Sequence, residues 1–207
     1  MNNPQDEWMG RTGPDLLALA GSRMAHDLAN PLGAVGNGLE LLELSGAGDM
    51  PEMALMKEAM EAARGRLGYF RIAFGHAGAD ATLPRAEIDS AIAGTLNAAR
   101  HRVEWQAGDA PERRMAKVAL LCLLCLETAM PVGGEIEISQ TGGDWCLTGR
   151  AKRFVLDPAL FALLDNAPPP ADLAASKVHF PLAAKAARAA GREIGFEQGE
   201  NTLRLFF

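Results

Sequence analysis

Residues 22–33 read Ser-Arg-Met-Ala-His-Asp-Leu-Ala-Asn-Pro-Leu-Gly. A histidine directly followed by an acid, with Asn30-Pro31-Leu32 one turn on, suggests a nucleophile that receives a phosphoryl group. Near neutral pH an uncharged imidazole is available for attack and can hold a phosphoryl group as a labile phosphoramidate. Met24, Leu28, Leu32, Val35, Leu39 and Leu42 recur at helical spacing and define a buried stripe. At about 100° per residue, His26 lies roughly 160° from both Met24 and Leu28, so it faces solvent. Ser22, Arg23, Asn30, Gly33 and Asn37 fall within about 60° of it. This face is polar or small, and a protein partner can lie flat against it.

The helix that carries His26 is built against its own stability. Gly33, Gly36 and Gly38 each cost about 1 kcal/mol relative to alanine. Pro31 removes one backbone hydrogen bond and is expected to kink the helix one turn past His26. An exposed histidine on an amphipathic helix weakened by chance would give the same periodicity, and periodicity alone leaves both readings open.

Gly13-Pro14-Asp15 offers a proline for a first helical turn and an acid that complements the helix dipole. The helix is expected to run to about Ser45, where Gly46-Ala47-Gly48 stops it. Asp49 and Glu52 have capping-box spacing for a second helix. That helix carries Met53, Met56, Met60, Ala63, Leu67, Phe70 and Phe74 on one face and ends near residues 75–78. Two helices joined by a short turn bury too little alone, so residues 1–78 are expected to pair with a second copy as a dimeric four-helix bundle.

The linker GADATLP, 78–84, leads to a second domain at 84–207. Its pattern predicts helices at 85–99, 112–129, 157–165 and 176–190, and strands at 102–107, 134–140, 144–150, 192–198 and 201–207. The turn Thr141-Gly142-Gly143-Asp144 joins the second and third strands. The fold class is α+β: a helical hairpin followed by a two-layer α/β sandwich, with two helices on one face of a mostly antiparallel sheet.

At 207 residues and 48% hydrophobic, the chain can bury a real core. A net charge of −6 lacks the basic footprint of nucleic-acid binding. The opening MNNPQDEW is unlike a signal peptide. The longest apolar run, VALLCLLCL at 118–126, falls short of the roughly 20 residues that span a bilayer. The expectation is a cytoplasmic protein that binds neither membrane nor nucleic acid.

His26-Asp27-Leu28-Ala29-Asn30-Pro31-Leu32 resembles the H-box of sensor histidine kinases. With Arg23-Met24-Ala25 before it and Gly38-Leu39-Glu40-Leu41-Leu42 after it, the stretch is more similar to the ChpT-type histidine phosphotransferases of alphaproteobacteria. Those are dimers of a helical hairpin followed by a degenerate kinase-like ATPase domain. The resemblance implies a phosphorelay in which His26 shuttles a phosphoryl group between aspartates of response-regulator receiver domains, with a hybrid histidine kinase upstream. It implies that Asp27 hydrogen-bonds one ring nitrogen so that the other attacks, and that Asn30 orients a water or the phosphoryl oxygens. Arg23, one turn before His26, is placed to neutralise phosphoryl charge or contact a partner's acidic site. The Mg²⁺ would come from the receiver; no metal or cofactor is expected on this chain.

In the kinases, the helix before the central hairpin carries an asparagine that ligates Mg²⁺. Here Cys122 and Cys125 stand in that helix, and cysteine is a poor ligand for a hard cation. The Asp-x-Gly-x-Gly turn that holds adenine has no counterpart in 150–158. The Gly-rich lid has none in Ser176-Lys177-Val178-His179-Phe180-Pro181, which frees no glycine N–H groups for phosphate. The α/β domain is therefore expected not to bind ATP. A divergent ATP-dependent kinase and a non-catalytic docking module stand as alternatives.

Cys122 and Cys125 spell CxxC inside an apolar helix and are expected as core residues. Arg150, Lys152 and Arg153 form a small basic cluster, either a solvated edge or a docking patch for an acidic partner. Trp105 and Trp145 are expected to pack in or beside the core. His76 and His101 are expected at the surface, and His179 to cap or pack at a helix start.

Overall fold

The computed structural model describes residues 51–75, 81–96 and 98–207, together with residues 20, 23, 24, 27, 28, 31, 33–35, 37, 38, 41 and 42. The described residues between 20 and 42 are all helical and form the N-terminal helix. Then follow α1 (Pro51–Ala73), α2 (Arg85–Thr95), β1 (His101–Trp105), α3 (Arg113–Ala129), β2 (Gly134–Thr141) and β3 (Asp144–Arg150). The chain continues through α4 (Pro158–Ala162), a 3-10 turn (Ala175–Lys177), α5 (His179–Ala189), β4 (Gly195–Gln198) and β5 (Thr202–Phe206).

The strands form one mixed sheet in the order β1-β2-β3-β5-β4. β1 runs parallel to β2 and every other pair is antiparallel. Period-two alternation sets its two faces. Ile136, Ile138, Trp145, Leu147, Leu203 and Leu205 are buried on one side. The register lines up Glu104, Glu137, Thr148, Arg204 and Glu197 across the other.

The apolar run predicted as a helix forms the middle of α3, where every residue from Val118 to Leu126 is buried. A helix apolar all round needs neighbours all round. α3 packs against β2 and β3 on one side, α5 beside it, and α1 on the other. Trp105 and Trp145 are both buried and meet edge to face at 5.6 Å.

The second hairpin helix divides its faces differently from the expected single stripe. Met60 and Leu67, on the Met/Phe stripe, are 39% and 54% exposed. Gly65, Tyr69, Ile72 and Ala73 are buried. Tyr69, Phe70, Ile72 and Ala73 belong to the same core cluster as α3 and the sheet. The Tyr69 hydroxyl donates to the Leu120 carbonyl. Burial, with the Glu127 carboxylate adding to it, raises the Tyr69 pKa well above its usual value.

Small residues set two close helix approaches. A Cβ on Gly65 would stand 2.5 Å from the Gly94 Cα, so α1 and α2 cross backbone to backbone. A Cβ on Gly38 would stand 2.5 Å from Met56 Cγ, so one of the helix-weakening glycines is a packing requirement. Gly33 has open space around it.

His101, expected at the surface, is 4% exposed. It shares the inward parity of β1 with Trp105, and its Nε2 lies 3.1 Å from the Met130 carbonyl oxygen. His76, Asp49 and the expected stop at 46–48 lie outside the described residues.

Candidate functional site

His26 and Asn30 lie outside the described residues; their neighbours Arg23, Asp27, Pro31, Gly33 and Asn37 lie within them. Gly33 and Asn37 are exposed. Met24 and Leu28 are partly buried against the core, so the N-terminal helix turns its predicted apolar stripe toward the α/β region.

Arg23 and Asp27 stand one turn apart and form an ion pair, Nε to Oδ2 2.5 Å, with side chains 18% and 16% exposed. The same guanidinium donates through Nη1 to the Ser176 carbonyl at 3.1 Å. Arg23 thus ties the N-terminal helix to the 3-10 turn before α5. Arg66 of α1 donates through Nη1 to the Asp27 carbonyl at 2.8 Å and through Nε to the Gly94 carbonyl at 3.3 Å. Three segments far apart in sequence meet beside positions 23–27.

The residues before α5 are packed. His179 is 2% exposed, with Nε2 3.1 Å from the Thr128 hydroxyl. Burial, reinforced by the positive charges of Arg23 and Lys177, pushes its pKa well below the usual histidine value. Cys122 and Cys125 are fully buried free thiols, as expected of core residues. Burial raises both pKa values, leaving neither a ready thiolate. Phe161, Leu163, Leu164, Leu173, Val178 and Phe180 are buried as well. The Phe161 ring meets those of Phe180 and Phe196 at 5.5 and 5.0 Å.

The basic cluster lies at the end of β3, the central strand of the sheet, and in the residues just after it. Arg150, Lys152 and Arg153 are exposed, and Arg150 pairs with Glu137 at 3.3 Å. Arg150 and Lys152 border an open cleft of about 670 Å³ with Gly133, Gly134 and Asn201. Among the described residues, no group of three or more His, Cys, Asp or Glu side chains is arranged to hold a metal ion. No described helix is long and apolar enough to cross a membrane.

Sequence reasoning singled out Arg23 and Asp27 but missed their link to Ser176, and missed Arg66 altogether. Arg66 shares α1 with Arg64 and Arg71, and nothing in its spacing marks it. The available signal was indirect: a proline at 31 withholds a donor from the carbonyl four residues earlier.

The chain matches the family model described as the histidine phosphotransferase C-terminal domain over residues 85–202. Protein phosphotransferase ChpT of Brucella abortus (strain 2308) is 34% identical over 166 residues, which cover 75% of this chain and 77% of that protein. A bacterial phosphotransferase whose structure was solved at 1.7 Å superposes with a TM-score of 0.76 at 26% identity, covering 100% of this chain and 97% of the other. A blue-light activated histidine kinase domain from Erythrobacter litoralis aligns at a TM-score of 0.44 and 12% identity, covering 92% and 91%. With a family-model match over more than half its length and a relative this similar, the chain belongs to the ChpT-like histidine phosphotransferases and has a phosphorelay role.

Proposed function

We propose that His26 carries the phosphoryl group between receiver-domain aspartates, and that two copies of the chain pair through their hairpins. The observation that carries this reading is the contrast between the two sides of the N-terminal helix. Arg23 and Asp27 are tied down to Ser176 and Arg66. Gly33 and Asn37, which helical spacing assigns to the face of His26, are open. A helix held on its flanks and bare on one face suits a nucleophile that must accept a partner's active site.

In the transfer, an imidazole nitrogen attacks phosphorus as the acyl-phosphate P–O bond breaks, returning the receiver's carboxylate. The other ring nitrogen keeps its proton, and a nearby carboxylate offsets the developing imidazolium charge. Asp27 is that carboxylate, oriented by Arg23, and Asn30 contacts the phosphoryl oxygens. Mg²⁺ is the receiver's contribution, and this chain binds neither metal nor nucleotide. Support for the last point comes from Val178, His179 and Phe180, which are buried in the stretch where a nucleotide lid would lie.

Leu41, Leu55, Met60 and Leu67 are exposed on the hairpin and suit burial against a second copy. Receivers dock on the face of Gly33 and Asn37, and the Arg150, Lys152 and Arg153 cluster serves as a second contact for an acidic surface. A hybrid kinase supplies the first receiver.

The test mixes the protein with a ³²P-labelled phospho-receiver, and separately with labelled ATP and Mg²⁺, with His26→Ala beside both. Acid-labile label arriving from the receiver, absent from the variant and never arriving from ATP, is the expected result. Label from ATP alone makes the chain a kinase. Label from neither source, across several receivers, leaves a docking module.

A further inference from the structure

Pro31 is helical, and so are the described residues on both sides of it. In an α-helix the carbonyl of residue 27 accepts from the N–H of residue 31, and proline has none. The sequence element that marks the site therefore withholds a donor from the carbonyl of Asp27, the residue next to His26. A partly buried carbonyl denied its partner destabilises its surroundings unless another donor reaches it.

Arg66 supplies that donor, with Nη1 2.8 Å from the Asp27 oxygen. Its second bond follows the same logic. Gly94 lies in the last turn of α2, which ends at Thr95, so its carbonyl is among those a helix end leaves without an internal partner. Arg66 Nε reaches it at 3.3 Å. One planar guanidinium, with donors at fixed angles, serves two carbonyls that helical geometry leaves short. Gly65, one residue before, is where α1 and α2 touch backbone to backbone, so the base of the arginine is fixed by the crossing itself.

We propose that Arg66 is a positioning residue for phosphotransfer: it replaces the backbone donor that Pro31 removes and so sets the height and rotation of the helical turn bearing His26. The proposal rests on His26 being the acceptor. Displacing a reacting group by about 1 Å costs up to 100-fold in rate, so loss of this tether lowers transfer by roughly 10- to 100-fold.

The test is a double-mutant cycle on the full chain between Arg66→Met and Pro31→Ala, read in both transfer and urea unfolding. Pro31→Ala restores the N–H at position 31 and makes Arg66 redundant for the Asp27 carbonyl. The expected result is a fall in single-turnover transfer rate at saturating phospho-receiver for Arg66→Met, with the half-saturating receiver concentration unchanged. In the Pro31→Ala background the same substitution costs less than about threefold. Arg66→Lys, which keeps a charged donor, recovers part of the rate. Equal effects of Arg66→Met in the two backgrounds overturn the proposal, as does a change in receiver affinity alone. If the unsubstituted chain takes no label, the functional reading fails. The unfolding cycle then decides the structural part by itself: coupling between positions 31 and 66 supports it and additivity overturns it.

Discussion

Gly65→Ala and Gly68→Ala, three residues apart on one helix, should move stability in opposite directions. In a helix whose surroundings are open, alanine gains about 1 kcal/mol over glycine. Gly68 has nothing within 4 Å of a built Cβ, so it should realise that gain. At Gly65 the new carbon would meet the Gly94 Cα at 2.5 Å and the Gly94 nitrogen and Ser90 carbonyl oxygen at 3.0 Å. All three are backbone atoms of α2, so no rotamer can move aside and the helices must separate. Overpacking of that kind costs about 1–3 kcal/mol, and the rigid obstacle puts the cost toward the upper end. The alanine gain is common to both variants, so their difference isolates the contact. For a chain of this size that difference amounts to roughly 2–12 °C in Tm. Urea unfolding at one fixed protein concentration measures it, since association of copies would otherwise shift the midpoint. Two variants of equal stability would refute the close crossing and, with it, the fixed base from which Arg66 reaches Asp27.

Two further outcomes rest on burial. A water-soluble disulfide reagent should label Cys146 of the native protein first, because Cys122 and Cys125 are fully buried with raised pKa values. Cys146→Ser should abolish the native-state label, and fast labelling of all three thiols would contradict the packing of α3. His179 stays neutral in the folded chain while its unfolded counterpart takes a proton near pH 6.5. The unfolded state then binds more protons, so stability should fall as pH drops below about 6.5, by at most about 1.4 kcal/mol per pH unit. His179→Gln should flatten this dependence in unfolding curves at pH 7.5, 6.5 and 5.5; parallel curves would remove His179 as the cause.

Much of the α/β region was legible because strands such as β3 and β5 show one strong period. Val118–Leu126 could only be a buried helix, and Thr141-Gly142-Gly143-Asp144 could only be a tight turn between strands. His101 was misread as a surface residue, although the parity of His101, Val103 and Trp105 put it on the inward side of β1. The strand expected at 102–107 left His101 just outside it, whereas β1 begins at His101. The hairpin was harder because α1 carries two stripes at different phases. The large Met, Leu and Phe side chains advertise one, of which Phe70 alone is buried in the core while Met60 and Leu67 are exposed, and Gly65, Tyr69 and Ile72 form the face that joins the core. Gly and Tyr contribute little to an apolar pattern, so the quieter face went unseen. The tethers of Arg23 and Arg66 end on backbone carbonyls of residues 176, 27 and 94, and a carbonyl has no letter in the sequence.

Tyr69 and Ile72 share a core with Leu120, so the hairpin cannot swivel over the sheet without opening that core. The bare face of the N-terminal helix and the basic cluster at Arg150 therefore stand at a constant span, like the two jaws of a fixed gauge. A partner that touches both meets them already aligned, and no freedom in this chain has to be frozen when it docks. Discrimination among partners then falls on their own dimensions: a receiver whose two contact surfaces match the span engages both, and one that is a few ångströms off must give up one of them.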